Sequence, residues 1–258
     1  MYVVLKKALY GCVKSGLLFY KRLTRDVENY GFKINPYDSC VANKEINGSQ
    51  CTILWYVDDL KISHREEKVV EEILQWLEDV YGEIRTTRGK KHDYLGMDIE
   101  YKGNKEVEVC MRWYLQEAIE EFPLEISGAA ATPAALHLFK VNPEESKLDE
   151  NRARSFHTAV AKLLFVTKRG RGDLMTAISF LSTRVKEPDE DDWKKLVRLL
   201  KYVNATLDLK LTLSANGTNV LKWWVDGSYA VHHDFKGHTG GTFTMGQGAI
   251  TNISTKKS

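Results

Sequence analysis

Apolar residues recur at helical spacing in several stretches of the chain. Between residues 15 and 30, Leu17, Leu18, Tyr20, Leu23, Val27 and Tyr30 fall on one broad face; Ser15 can cap the start and Gly31 can stop the helix. The clearest helix runs over 66–81. There Val69, Val70, Ile73, Leu74, Leu77 and Val80 keep the period, and Gly82 ends it. A shorter helical pattern covers 113–122. Three more helices are predicted between about Asp149 and Val203, the last opened by Pro188-Asp189, with Trp193, Leu196, Val197 and Leu200 facing inward. Strand patterns occupy 38–46 and 50–64, divided by Asn47-Gly48, and 93–102 and 105–111, divided by Gly103-Asn104. After Asn204 the pattern turns to strand again, over 207–214, 220–227, 239–245 and 248–254. These elements predict an α+β protein.

Composition narrows the class. The 258 residues are 43% hydrophobic and 28% charged, which excludes disorder over most of the chain. Lys plus Arg number 37 against 35 acids, so bulk charge neither demands nor excludes a nucleic-acid partner. No apolar run has the ~18 to 20 residues of a membrane span, and the N-terminus lacks the apolar core of a secretory signal. Cys12, Cys40, Cys51 and Cys110 form no CxxC pair. They are expected as free thiols in a reducing compartment rather than as zinc ligands.

The sharpest chemical signal is Trp55-Tyr56-Val57-Asp58-Asp59-Leu60. An apolar strand enters two adjacent carboxylates and a second apolar stretch leaves them, so a tight hairpin with both acids at its tip is expected. Asp-Asp suits such a turn poorly, and the like charges repel. A bare Asp-Asp turn is most often a solvated acidic loop. A divalent cation is the usual reason to accept both costs.

The neighbouring segments give that turn a context. The Tyr-Val-Asp-Asp box resembles the catalytic box of copia-type retrotransposon reverse transcriptases. So do Leu5 to Gly11 with Lys14-Ser15, Phe19 to Leu23, the Asp93 to Met97 strand, and Val107 to Phe122. Thr132-Pro133, Phe156 to Phe165, Arg171 to Leu174, Ala177 to Ser182 and Lys201 to Leu209 extend the likeness in order over nearly the whole chain. It departs at Gly16 and Gly172, where the family usually has Pro.

The resemblance implies a partial palm over 1–111, a mostly helical thumb and connection over 112–210, and the first antiparallel strands of a ribonuclease H-like domain over 211–258. It implies RNA-directed DNA polymerisation with Mg²⁺ or Mn²⁺, on an RNA/DNA primer–template with dNTPs. The chain would act inside a cell, in a cytoplasmic particle or the nucleus, as part of a larger retrotransposon polyprotein and away from membranes. Asp58 is expected as a direct metal ligand and Asp59 in an auxiliary role. Tyr56, Gly11, Lys14 and Ser15 are expected near the incoming nucleotide and template. Asp226, in Trp223-Trp224-Val225-Asp226-Gly227-Ser228, resembles the first metal-binding acid of ribonuclease H.

In this family the partner carboxylate comes from a strand upstream of the Tyr10-Gly11 segment. The first acid here is Asp26, inside a helix. Residues 1–258 alone are therefore expected to show no measurable polymerase activity. A non-enzymatic remnant that binds nucleic acid is the alternative, and a nuclease built on Asp226 the weakest. His232, His233 and His238 are expected in a solvated hairpin loop. Arg85, Arg88, Lys90 and Lys91, and Lys168, Arg169 and Arg171, are candidate phosphate contacts, but as isolated charge runs they are expected mainly as solvated faces. Core packing is the expectation for Trp113 and Tyr114. Leu221, Trp223, Val225, Phe243 and Met245 predict a poorly covered apolar stripe.

Overall fold

A computed structural model describes residues 11–103, 105–218 and 220–257. The resembling residues Leu5 to Tyr10, and Asn104 of the Gly103-Asn104 turn, lie outside the described residues. The chain divides into two compact units, Met1–Thr86 and Thr87–Ser258.

In the first unit, α1 (Val13–Asn29) is followed by β1 (Lys33–Ile34), β2 (Val41–Ile46), β3 (Ser49–Tyr56), β4 (Asp59–Ser63) and α2 (Glu67–Tyr81). The strands form one antiparallel sheet in chain order. Asn47 and Gly48 make the β2–β3 turn, both at positive φ, as their sequence signal requires. Strand alternation puts Ala42, Cys51, Ile53 and Trp55 on one face. They are buried there with Leu23 and Val27 of α1 and Val69, Ile73 and Leu77 of α2. Each Val, Leu and Ile among them contributes roughly 1.5–3 kcal/mol by leaving water. Both helices therefore cover one side of the sheet. The opposite face carries Val41, Leu54 and Lys61 in one row and Tyr56 and Asp59 in another.

The ends of α1 and α2 are tied by Asp26, which accepts a 2.9 Å hydrogen bond from Tyr81 Oη and pairs with Arg22 and Arg25. Burial works to raise the Asp26 carboxyl, but the Tyr81 and arginine hydrogen bonds hold it below its usual range. Burial, with Asp26 close by, pushes the Tyr81 hydroxyl up to about 12. Ser15 does not cap α1: the helix begins two residues earlier, and its N-cap is Cys12, which makes no side-chain cap bond.

The second unit has a five-stranded antiparallel sheet of β5 (Lys91–Tyr94), β6 (Met97–Tyr101), β7 (Glu106–Cys110), β8 (Leu211–Ala215) and β11 (Gly246–Gln247), in the order β11-β8-β7-β6-β5. The 93–102 pattern is two strands rather than one. Leu95 and Gly96, both at positive φ, turn the chain between β5 and β6. Helices α3 (Arg112–Glu120), α4 (Glu150–Thr167), α5 (Met175–Ser182) and α6 (Glu190–Ala205) enclose the larger core, around Leu115, Phe156, Leu163, Ile178 and Leu196. Asp189 opens α6 with a reciprocal capping box to Asp192.

Strands β9 (Lys222–Ser228), β10 (His238–Thr244) and β12 (Thr251–Lys256) form a third sheet, ordered β12-β10-β9, with α5 against β12. The pairing of β7 with β8 joins residues 106–109 to 211–214. Leu221, Trp223 and Val225 are exposed as the alternation predicts, and Met245 is 37% exposed. Trp224 is exposed as well, so β9 is open on both faces.

Candidate active site

The sheet of the first unit delivers two carboxylates to its rim. Tyr56 pairs with Asp59, leaving Val57 and Asp58 as the two residues of the turn. The acids therefore do not share the tip. Asp58 stands in the turn, and Asp59 is the first residue of β4, on the helix-free face beside Tyr56. Tyr56, Val57, Asp58 and Asp59 are all exposed. Among the described residues, no side chain or backbone N–H hydrogen-bonds or ion-pairs with either carboxylate. Among the described residues, nothing relieves the pair's mutual repulsion.

Val57 sits at φ +58°. That left-handed region costs an L-residue about 1–2 kcal/mol, and a β-branched side chain is a particular misfit there. Strain of this kind persists where the surrounding structure enforces it, often at functional sites. Here the enforcement is the register of β3 on β4, locked by buried Ile53 and Trp55. Val57→Asn should therefore raise stability by about 1 kcal/mol, since asparagine tolerates this conformation. Thermal denaturation of the two proteins checks this, and a lower midpoint for the variant would show that the turn is unstrained.

Gly11 lies just before α1 at φ +85°, with open space where a Cβ would stand. Lys14 is exposed and Ser15 half-buried in the first helical turn. No acid occupies that turn, and the Ser15 N–H donates to the Cys12 carbonyl at 2.9 Å. Asp226 belongs to the second unit. It is exposed on β9, its Oδ1 accepts 2.8 Å from the Gly227 N–H, and it lines a groove of about 360 Å³ with Gly172, Trp224, Gly240, Thr242 and Asn252. Among the described residues, no three His, Cys, Asp or Glu side chains converge as a metal site, at Asp58 or at Asp226.

Three other expectations change. Arg171 is 1% exposed, bound to Asp173 and to the Thr206 carbonyl and hydroxyl; it is a structural cation and cannot reach a phosphate backbone. Arg169 lies over the Phe165 ring at 3.6 Å. Tyr114 is half-buried and stacks on Phe165 at 5.0 Å, whereas Trp113 is exposed rather than in the core. His232 and His238 are buried, not solvated. The strained Val57 carries no sequence signal, because valine is a residue such turns avoid.

A family profile described as reverse transcriptase (RNA-dependent DNA polymerase) matches residues 2–136. The chain is similar to the transposon Ty5-1 protein of Saccharomyces cerevisiae, at 24% identity over 96% of this chain and 80% of that protein. It is also similar to the retrovirus-related Pol polyprotein from transposon TNT 1-94 of Nicotiana tabacum, at 24% identity over 96% of this chain. The Ty1-BR Gag-Pol polyprotein of Saccharomyces cerevisiae is 25% identical over 98% of it. The chain spans only 19% and 15% of the length of these two polyproteins. No solved structure matches.

Proposed function

The chain belongs to the reverse transcriptase (RNA-dependent DNA polymerase) family, and on that premise we propose that the Val57-Asp58 turn is the metal-holding turn of its nucleotidyl-transfer site. The observation that carries this reading is a strained turn that presents two adjacent, exposed carboxylates with no side-chain partner among the described residues. Two acids on one hairpin fit half of a two-metal donor set, with cations ~3.5–4 Å apart. Asp58, in the turn, is the direct ligand, and Asp59 supports it from β4. When bound, Mg²⁺ or Mn²⁺ would activate the primer 3′ hydroxyl and offset charge on the leaving pyrophosphate.

The chain's own part is to hold and orient. The helix-free face of the first sheet takes the primer–template, with Tyr56 beside the reacting end. The start of α1, at Gly11, Lys14 and Ser15, takes the dNTP phosphates, with Lys14 as the cation. In this reading residues 1–111 are palm, 112–210 thumb and connection, and 211–258 the opening strands of a ribonuclease H-like domain in which Asp226 is the first metal ligand. The whole is one segment of a retrotransposon polyprotein.

A chimera tests the reading. Residues 2–136 replace the matching segment of an active copia-type polymerase, which is assayed by primer extension on poly(rA)–oligo(dT) with Mg²⁺. Incorporation well above background is expected. A folded chimera that binds primer–template but adds no nucleotide would make the chain a nucleic-acid-binding remnant.

A further inference from the structure

Two buried histidines join three separate stretches of the second unit. His232 Nε2 lies 3.0 Å from His238 Nδ1, and His238 Nε2 lies 2.6 Å from Ser254 Oγ on β12. The rings are 5% and 7% exposed. Phe139, in the loop ahead of α4, packs against both at 4.9 and 5.0 Å between ring centres, and it meets Phe180 of α5 at 5.7 Å. Ser179 of α5 adds a 2.6 Å hydrogen bond to the Ser254 carbonyl. The histidine pair is therefore the polar centre of the seam between the β9–β10–β12 sheet and the helical layer.

We propose that the His232–His238–Ser254 chain is a pH-sensitive clasp, which holds this sheet on the helices at neutral pH and releases it in acid. With both rings neutral, each nitrogen between them has a defined role, one donating and one accepting. One proton added to the pair leaves the hydrogen bond intact but places a charge in the seam. A second makes all four ring nitrogens donors, so two N–H groups face each other 3.0 Å apart and the bond is lost.

The charged groups around the pair do not compensate. Lys256 and His233 oppose a charge on His232, and Asp234 favours one, but Asp234 is already paired with Lys256 at 2.7 Å. From the helical side Phe139 packs on both rings; Phe180 behind it carries Lys195 Nζ 4.8 Å over its own ring, and that charge is paired with Asp191. Burial holds both histidines below their ordinary range, with His238 as a further cause for His232. A histidine lowered by folding leaves stability complete above the unfolded value of about 6.5. That stability is lost as the pH falls from there through the lower folded value.

Hydrogen exchange on the 258-residue chain, corrected for intrinsic rates, reads the clasp directly. Protection in β10 and β12 should fall on the order of tenfold between pH 7 and pH 5. Protection in α6 should stay. The double variant His232→Gln/His238→Gln, which keeps amide donors and acceptors without a titrating ring, should lose the pH dependence. Ring titration of the wild-type chain by NMR decides the matter should that variant not fold. His232 and His238 should remain neutral below the ordinary histidine value of about 6.5. Rings charged at pH 7, equal protection at pH 7 and 5, or an unchanged pH dependence in the double variant would each overturn the proposal.

Discussion

Asp173→Ala should lower the stability of the Thr87–Ser258 unit by about 3 kcal/mol. Arg171 is 1% exposed, and its guanidinium gives three hydrogen bonds to the Asp173 carboxylate, at 2.8 to 3.3 Å. The Thr206 carbonyl and hydroxyl take the rest, at 3.0 and 2.8 Å. Removing the carboxylate leaves a buried cation with two neutral acceptors. Loss of one partner from a buried ion pair costs about 3–5 kcal/mol. Asp173 is itself 28% exposed, which puts the effect at the low end of that range. Urea denaturation should show a lower midpoint with an unchanged slope. A loss below about 1 kcal/mol, the range of exposed pairs, would mean that Arg171 finds water when its partner is gone.

The second large effect is on chemistry. In the active chimera, Asp58→Asn should reduce primer extension at least 100-fold, a barrier increase of about 2.7 kcal/mol. Asp59→Asn should cost less. The asymmetry follows from the hairpin: Asp58 stands in the turn, whereas Asp59 is fixed within β4 by its pairing with Tyr56. Asparagine keeps the size and polarity of the side chain but removes the charge a cation requires. Incorporation rates from single-turnover extension give both numbers. A larger loss for Asp59→Asn would reverse the two roles.

Much of the first unit was legible because its signals are local. Asn47-Gly48 fixes one hairpin, the Cys51-Ile53-Trp55 alternation fixes the buried face, and the Val69 to Leu77 spacing gives α2. The double-acid hairpin followed from two apolar runs about a polar break. Its phase did not, because Val57 reads as the last strand residue and only the Tyr56–Asp59 pairing moves it into the turn. Leu95-Gly96 was lost inside an apolar stretch for the same reason: leucine at positive φ has no propensity behind it.

The second unit was less legible because its polar core is made by distant partners. Arg171 looks like one of a solvated basic run until Thr206, 35 residues on, closes over it. His232 and His238 look like loop residues until Phe139 and Ser254 bury them. Periodicity records which face of an element is apolar. It does not record which polar side chains another segment will enclose.

The central claim, that the Asp58–Asp59 hairpin holds a divalent cation, is tested most directly by paramagnetic relaxation. Substoichiometric Mn²⁺ is added to the isotope-labelled 258-residue chain and the amide resonances are followed. Broadening should begin at residues 56–60 and disappear in Asp58→Asn. Broadening centred elsewhere, or unchanged in Asp58→Asn, would contradict the assignment of this turn.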